Sequence, residues 1–152
     1  MLCLAHHAAP ALSIALVAAC ASTEPSAPAA DRGQVVVAQP GADVTLAVGQ
    51  SAQIPLANVQ VKFKRLVSDS RCPVAPTIQC VWGGSVIVDV EAGPLSGLAY
   101  GETKRLETLA GRDTVTVAGQ HVRVVRVLPE RTSTDSIPLA TYRIVLRVGT
   151  TR

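Results

Sequence analysis

Two cysteines and a tryptophan are the residues of this chain whose chemistry needs explaining first. Cys72 and Cys80 enclose two prolines in the segment DSRCPVAPTIQCVWGG, and the single tryptophan follows at position 82. A redox pair usually has two residues between its cysteines, at a helix start. A structural zinc site needs four ligands, whereas only these cysteines and His121 remain after the first twenty residues. The spacing therefore favours a structural disulfide between the facing ends of two neighbouring strands.

The loop enclosed by the cysteines is also a candidate contact surface. Pro73 and Pro76 restrict the unfolded loop, so we expect a rigid ring that could meet a partner protein or act as a protease-inhibiting loop. We expect Val81 to begin the next strand. If side chains alternate without interruption from Cys80 to Val90, Trp82 lies beneath the disulfide, capping the core. The candidate contact residues are Pro73, Val74, Ala75, Pro76, Thr77, Ile78 and Gln79.

The sequence offers no residue set typical of a catalyst. His121 follows a predicted hairpin turn, and no Gly-x-Ser-x-Gly segment supplies a serine nucleophile. We interpret it as an exposed histidine at a strand end. Gly83 and Gly84 are followed by neither the lysine nor the helix of a phosphate-binding loop. We therefore predict a protein that is not an enzyme and that holds no cofactor.

Acidic residues near the cysteine loop could in principle bind calcium. Asp69, Asp89 and Glu91 lack the dense spacing of oxygen ligands that such sites show. We instead expect Asp69 to cap a turn or to pair with Arg71. No metal site is predicted.

Basic side chains provide one further candidate surface. Arg123, Arg143 and Arg147 could form a basic patch for an anionic glycan or phospholipid, and the alternative is a solvated face whose charges prevent aggregation. The chain carries 14 basic and 11 acidic side chains, a net charge of +3, and its aromatic content is 3%. Both values are too low to indicate binding of nucleic acid.

The first residues have the pattern of an export signal. An uncharged, apolar run from Ala8 to Ala19 is too short to cross a bilayer, which takes about 20 residues. It ends in Val17-Ala18-Ala19-Cys20, which resembles the lipobox of bacterial lipoproteins. This resemblance implies cleavage before Cys20 and acylation of that cysteine. The alternative is an ordinary secretory signal that is cut after a small residue.

Three segments follow from this interpretation: a signal peptide at 1–19, the lipidated cysteine and a flexible tether at 20–34, and one domain at 35–152. The tether is rich in Ala, Ser and Pro and cannot bury enough apolar surface to order itself. Because the signal removes Cys3 and lipid occupies Cys20, one pair of cysteines is left, as expected in an oxidising compartment. Ala21, where Asp is absent, implies the outer membrane by the same resemblance; whether the domain faces the periplasm or the cell surface stays open.

The domain has the alternating pattern of short β-strands. Val59, Val61 and Phe63 fall on one face of their segment, and a Gly-containing turn joins two arms of a predicted hairpin. The valine phase slips after Val124, which indicates a bulge. Seven or eight strands and no sustained helical spacing predict an all-β fold, an antiparallel, immunoglobulin-like β-sandwich. Nine segments are candidates for these strands: 35–38, 44–48, 51–56, 59–63, 86–90, 104–109, 114–117, 121–124 and 142–148.

The segment from Asp69 to Gly84 also resembles a family. Its DSRCP and CVWGG parts are similar to the DSRCP…C-[VI]-W-x-G signature of small, uncharacterised bacterial lipoproteins, in which a residue like Ala is more usual at the position of Gly83. The resemblance implies location and fold but no activity. The predicted function is a lipid-anchored, non-enzymatic binding or structural module of the cell envelope. The alternatives are partner binding or protease inhibition through the loop 72–80 and, more remotely, an envelope enzyme with an atypical site.

Overall fold

The computed structural model describes residues 33–96 and 101–150. The predicted signal peptide, Cys20 and all but the last two residues of the predicted tether lie outside these ranges. The described part contains nine strands in two sheets, one of five strands in the order β1-β3-β4-β5-β6 and one of four in the order β2-β9-β8-β7. The strands are β1 (Val35–Val37), β2 (Asp43–Ala47), β3 (Ser51–Ile54), β4 (Val59–Asp69), β5 (Val86–Pro94), β6 (Glu102–Glu107), β7 (Thr114–Val117), β8 (Gln120–Leu128) and β9 (Arg143–Gly149).

The antiparallel β-sandwich predicted from the sequence is confirmed, with nine strands where seven or eight were expected. Only β1 and β3 pair in parallel among the described strands. Two 3₁₀ turns, Pro55–Ala57 and Leu139–Thr141, are the helical elements of the described ranges. No helix in these ranges has the length and apolar character needed to cross a bilayer.

The core lies between the two sheets. From the five-stranded sheet, β4 contributes Val59, Val61 and Phe63, and β5 contributes valines of the same alternating kind, all with at most 1% of their surface exposed. The four-stranded sheet faces them with Leu46 of β2 and, on β8 and β9, further fully buried apolar side chains. Because strand side chains alternate between faces, the intervening residues of β4 and β5 point outward.

The predicted hairpin is present as β7 and β8. Ala118 and Gly119 join the strands with φ values of 49° and 78°, the left-handed pair that a two-residue hairpin turn requires. The pairing of β8 with β9 shifts between Val124 and Arg126, so the predicted bulge is also confirmed. The predicted edge strand near 104–109 is β6, at the end of the five-stranded sheet.

The expected position of Trp82 was wrong. Val81 does not begin a strand, because β5 starts at Val86, and Trp82 leaves 62% of its surface exposed instead of capping the core. The cause is Gly84, which adopts a φ of +69°. A left-handed residue interrupts the extended backbone, so side-chain alternation cannot be counted back through it.

Candidate functional site

Cys72 and Cys80 form a disulfide in the structure, as predicted, with their Cα atoms 6.0 Å apart. The two chain segments leading into the loop remain paired beyond the ends of β4 and β5. The amide of Ser70 donates to the carbonyl of Ser85 at 2.8 Å, and the amide of Cys72 donates to that of Gly83 at 2.9 Å. We call residues 72–84 the disulfide loop.

Gly84 allows these two segments to approach closely. A Cβ atom placed on Gly84 would lie 1.8 Å from the carbonyl oxygen of Ser70, well inside any possible contact distance. Gly83 has an ordinary φ, and a Cβ atom there would meet nothing within 4 Å. The closeness at Gly84 therefore requires glycine, whereas the position of Gly83 can accept alanine.

Asp69 is the residue that fixes the start of the disulfide loop. Its Oδ1 accepts hydrogen bonds from the backbone amide of Arg71 at 3.1 Å and from its Nε at 3.0 Å. Its Oδ2 accepts from Arg71 Nη2 at 2.6 Å and from the hydroxyl of Tyr142 at 2.8 Å. The predicted turn cap and the predicted pair with Arg71 are both present. The contact with Tyr142, which lies 73 positions away, was not predicted.

The two sheets are tied together at this point. Arg71 Nη1 donates to the carbonyl of Val127 in β8 at 2.9 Å. Arg131, which follows β8, donates from Nη1 to the carbonyl of Asp69 at 3.1 Å, and its own carbonyl accepts from the amide of Val74 at 2.7 Å. The base of the disulfide loop is therefore held by the Cys72–Cys80 disulfide, by the backbone pairing next to β5 and by hydrogen bonds to the opposite sheet.

The charges of this cluster are stable at neutral pH. Burial by itself raises the pKa of Asp69, but the hydrogen bonds from Arg71 and Tyr142 outweigh it, so the net pKa lies below the ordinary value. Burial, and then the hydrogen bond to Asp69, raise the pKa of Tyr142. The hydrogen bond to Asp69 raises the pKa of Arg71. Asp69 is therefore a carboxylate held by two protonated donors, which is a structural arrangement.

The disulfide loop presents apolar side chains to solvent. Val74 is 73% exposed, Val81 is fully exposed at 106%, and Trp82 is 62% exposed. Among the predicted contact residues, Val74, Pro76, Thr77 and Gln79 are exposed, and Pro73, Ala75 and Ile78 are half-buried. Val81 and Trp82, which the sequence assigned to a strand and to the core, belong to this displayed surface.

The predicted basic patch is only partly assembled. Arg123 of β8 and Arg147 of β9 lie directly opposite each other. Each forms an ion pair at 2.7 Å, Arg123 with Asp113 and Arg147 with Asp43. Arg143 lies at the other end of β9 and donates to backbone carbonyls of its own turn. Neighbouring carboxylates thus balance the two arginines that the fold brings together.

His121 lies in a surface depression of about 430 Å³ that Asp113 and Arg123 also line. Its Nδ1 is 3.3 Å from the hydroxyl of Thr116, and the carboxylate of Asp113 is held by Arg123. Among the residues that the structure describes, no carboxylate is therefore placed to orient this histidine as a general base. Within the described ranges, no group of three or more His, Cys, Asp or Glu residues could hold a metal ion, and every buried side-chain nitrogen or oxygen has a partner.

Comparison with protein-family models, with curated proteins and with solved structures gave no match.

Proposed function

We propose that this chain is a lipid-anchored module of the bacterial cell envelope that binds a partner protein through its disulfide loop. The observation that supports this most directly is the exposure of Trp82, at 62%, and of Val81 beside it, on a loop that is braced at its base. Tryptophan is the residue most enriched at the energetic centres of protein interfaces. A braced loop loses little conformational entropy on binding.

The energy available from Trp82 is large enough to matter for binding. A tryptophan side chain buries about 150–250 Å² when it is fully covered. At 62% exposure, about 120 Å² remains to be covered, which is worth about 3 kcal/mol at 25 cal/mol per Å². That sets an upper limit of roughly a hundredfold on the effect of Trp82 on the dissociation constant, because ordering and desolvation costs on binding offset part of it.

The envelope location rests on features of the sequence. The lipobox-like residues that end at Cys20 and the Ala-, Ser- and Pro-rich stretch after it support an anchored, tethered domain. The disulfide supports an oxidising compartment, since cytosolic proteins seldom form one. The outer membrane is the proposed site. The non-enzymatic role is part of this proposal and rests, like the envelope location, on the sequence, which has no Gly-x-Ser-x-Gly segment to supply a serine nucleophile.

Partner binding can be tested with a photocrosslinking amino acid placed at Val81 in living cells. We expect a defined crosslinked species that disappears when Trp82→Ala is added. The matched control places the same crosslinker at Leu56, which is 79% exposed on the 3₁₀ turn before β4, at the other end of that strand. Identical crosslinks from both positions, or a crosslink insensitive to Trp82→Ala, would show that the disulfide loop is not the binding surface.

Purified components allow a second measurement. Trp82 is the only tryptophan of the chain, so its emission reports the environment of this one position. The identified partner should shift the emission to shorter wavelength and protect the indole from iodide quenching. Binding without either change would contradict the role of Trp82.

The anchor is tested separately by mass spectrometry of membrane-extracted protein, which should show an acylated amino-terminal Cys20. Cys20→Ser should move the protein to the soluble fraction. An unmodified Cys20 in membrane-extracted protein would contradict the lipid anchor.

A further inference from the structure

The outer face of the five-stranded sheet carries a second surface that the disulfide loop does not involve. Strands β4 and β6 contribute cations there, and β5 between them contributes carboxylates. We call this group the cationic face. It consists of Lys62, Lys64 and Arg65 of β4, Arg105 of β6, and Asp89 and Glu91 of β5.

One carboxylate positions two guanidinium groups at the centre of this face. Arg65, Asp89 and Arg105 are direct neighbours across three strands. Arg65 Nε and Nη2 both lie 2.8 Å from Asp89 Oδ2, and Arg105 Nε lies 2.9 Å from Oδ1. The hydrogen bond from Arg105 lowers the pKa of Asp89 most, burial opposes it, and Arg65 adds to it. The carboxylate is therefore charged and holds both arginines in place.

The carboxylate lies below the surface and the guanidinium groups lie above it. The Asp89 side chain is 3% exposed, whereas those of Arg65 and Arg105 are each 60% exposed. Lys64 repeats the arrangement next to them: its Nζ is 2.8 Å from Glu91, with 43% exposure for the lysine and 22% for the glutamate. An approaching ligand meets positive groups first.

The four-stranded sheet has this layering at one ion pair only, where the Arg123 side chain is 51% exposed and that of Asp113 is 13% exposed. Arg147 and Asp43 form a similar ion pair, but their side chains are 51% and 43% exposed. The carboxylate is there as accessible as the guanidinium, so the two charges cancel at the surface. The cationic face differs because both of its carboxylates lie below their cations and one of them holds two guanidinium groups.

We propose that the cationic face binds a membrane surface of anionic phospholipid, with Arg65 and Arg105 contacting headgroup phosphate. Guanidinium has five N–H donors and matches phosphate geometry. In the described ranges the hydrogen bonds of Arg65 and Arg105 go from Nε and Nη2 to Asp89, which leaves Nη1 of each for a ligand. Strands about 4.8 Å apart spread the cations over a broad sheet surface, which complements an array of headgroups.

The position of the chain's start supports this occupant. β1, the first strand of the described residues, is the edge strand of the same five-stranded sheet. Fully extended, the chain between Cys20 and Gly33 reaches at most about 45 Å, so an anchored domain stays within reach of the bilayer. This step rests on the proposed lipid anchor. The tether then supplies a high local concentration of headgroups for a surface that binds weakly by itself.

Lysine footprinting tests the proposal, because the chain has only three lysines and two of them, Lys62 and Lys64, belong to the cationic face. Lys104 is an internal control. It pairs with buried Val90 and lines a depression with Val117 of the other sheet, so it lies on the opposite side of β6. The acylated full-length protein is reconstituted in neutral vesicles or in vesicles with anionic phospholipid, and lysine modification is measured by mass spectrometry.

In anionic vesicles we expect Lys62 and Lys64 to react at least about fivefold more slowly than in neutral vesicles. Each basic side chain near an anionic surface favours the bound state by about fivefold in the binding equilibrium. Lys104 should be unchanged, and high salt should remove the protection. Equal modification of Lys62 and Lys64 in both vesicle types would overturn the proposal. Equal slowing of Lys104 would also overturn it, because the protection would then not belong to this face.

Two double variants with the same change of net charge separate this face from general electrostatic attraction. Arg65→Gln with Arg105→Gln should abolish the protection, whereas Arg123→Gln with Arg147→Gln should keep it. Equal loss in both would overturn the proposal. Arg65→Lys with Arg105→Lys keeps two positive charges beside the covered carboxylate of Asp89, so this double variant should fold even if the glutamine variant does not. It should weaken the protection, and wild-type protection in this variant would refute the phosphate contact.

The source of the phosphate and the state of the anchor are resolved in the same samples. Inorganic phosphate without vesicles should give no more protection of Lys62 and Lys64 than chloride at equal ionic strength. Specific protection by phosphate would show that the cationic face binds a soluble phosphate ligand and would overturn the proposed membrane contact. If Cys20 proves unacylated, the proposed anchor fails, and sedimentation of the unacylated chain with anionic vesicles still tests the cationic face. If the protein is acylated but Lys62 and Lys64 are not protected in anionic vesicles, the proposal for the cationic face is contradicted and the proposed anchor is not.

Discussion

Replacing Asp69 with asparagine tests whether the cluster at the base of the disulfide loop holds the two sheets together. Asparagine keeps the shape of the side chain but turns one acceptor oxygen into an NH₂ group. That group would then face Arg71 Nη2 and the Tyr142 hydroxyl, both of which donate to Oδ2 in the wild type. The substitution therefore removes the charge and sets a donor against the guanidinium of Arg71, which cannot accept, without opening a cavity.

The expected cost follows from the burial of the pair. The side chains of Asp69 and Arg71 are 5% and 18% exposed, so water replaces little of the lost interaction. Hydrogen bonds to charged groups contribute about 1.5–3 kcal/mol each, and removing one partner of a buried pair costs about 3–5 kcal/mol. We expect Asp69→Asn to lower the free energy of unfolding by about 3 kcal/mol. For a urea m-value of about 1.5 kcal/mol per M, the midpoint falls by about 2 M.

The assay is urea unfolding followed by far-ultraviolet circular dichroism under non-oxidising, non-reducing conditions that keep the disulfide intact. Asp43→Asn is the matched control, because it breaks an ion pair whose members are both about half exposed, and such pairs add little to stability. Tyr142→Phe should cost less than Asp69→Asn, and the two should be non-additive in a double-mutant cycle. Equal losses for Asp69→Asn and Asp43→Asn would refute the reasoning.

Three further changes test other parts of the same region. The pKa of Asp69 in the folded protein is lower than the 3.8 of the unfolded chain. The contribution of its carboxylate to the free energy of unfolding is therefore complete above pH 3.8 and disappears as the pH falls through the folded pKa. The difference in stability between wild type and Asp69→Asn should narrow only below pH 3.8, as measured by urea unfolding. Gly84→Ala should cost at least about 2 kcal/mol in thermal or urea unfolding, whereas Gly83→Ala should be neutral; equal effects would contradict the close approach. Joint replacement of Cys72 and Cys80 by serine should cost about 2–3 kcal/mol, and unchanged stability in non-reducing buffer would show that the ring does not constrain the unfolded chain.

Strands were predictable from the sequence where buried and outward-facing side chains alternate without interruption. Val86, Val88 and Val90 alternate in the sequence and point into the core in the structure. The turn at Ala118 and Gly119 was predictable because a glycine separates two alternating valine segments, although alanine seldom adopts the left-handed φ of 49° found at Ala118. The order of the strands within each sheet was not, because β2 crosses to pair with β9, about a hundred positions later in the chain.

The site was predictable only for its local contacts. The spacing of Cys72 and Cys80 and the pair of Asp69 with Arg71 involve residues close in sequence. The role of Tyr142 depends on how the sheets pack. The exposure of Trp82 depends on the φ of Gly84, and a glycine in the sequence does not reveal whether its φ is positive.

If the proposed lipid anchor holds the domain by its amino-terminal side, the attachment of β1 has a mechanical consequence. This strand joins the sandwich through three residue pairs with β3, at the edge of the sheet, whereas β2 is paired with β9 over five positions. Tension transmitted along the chain from the membrane would peel β1 away before it loads the core. The released residues 35–42 would span at most about 28 Å when fully extended, so the domain could yield to stretching while its core strands stay paired.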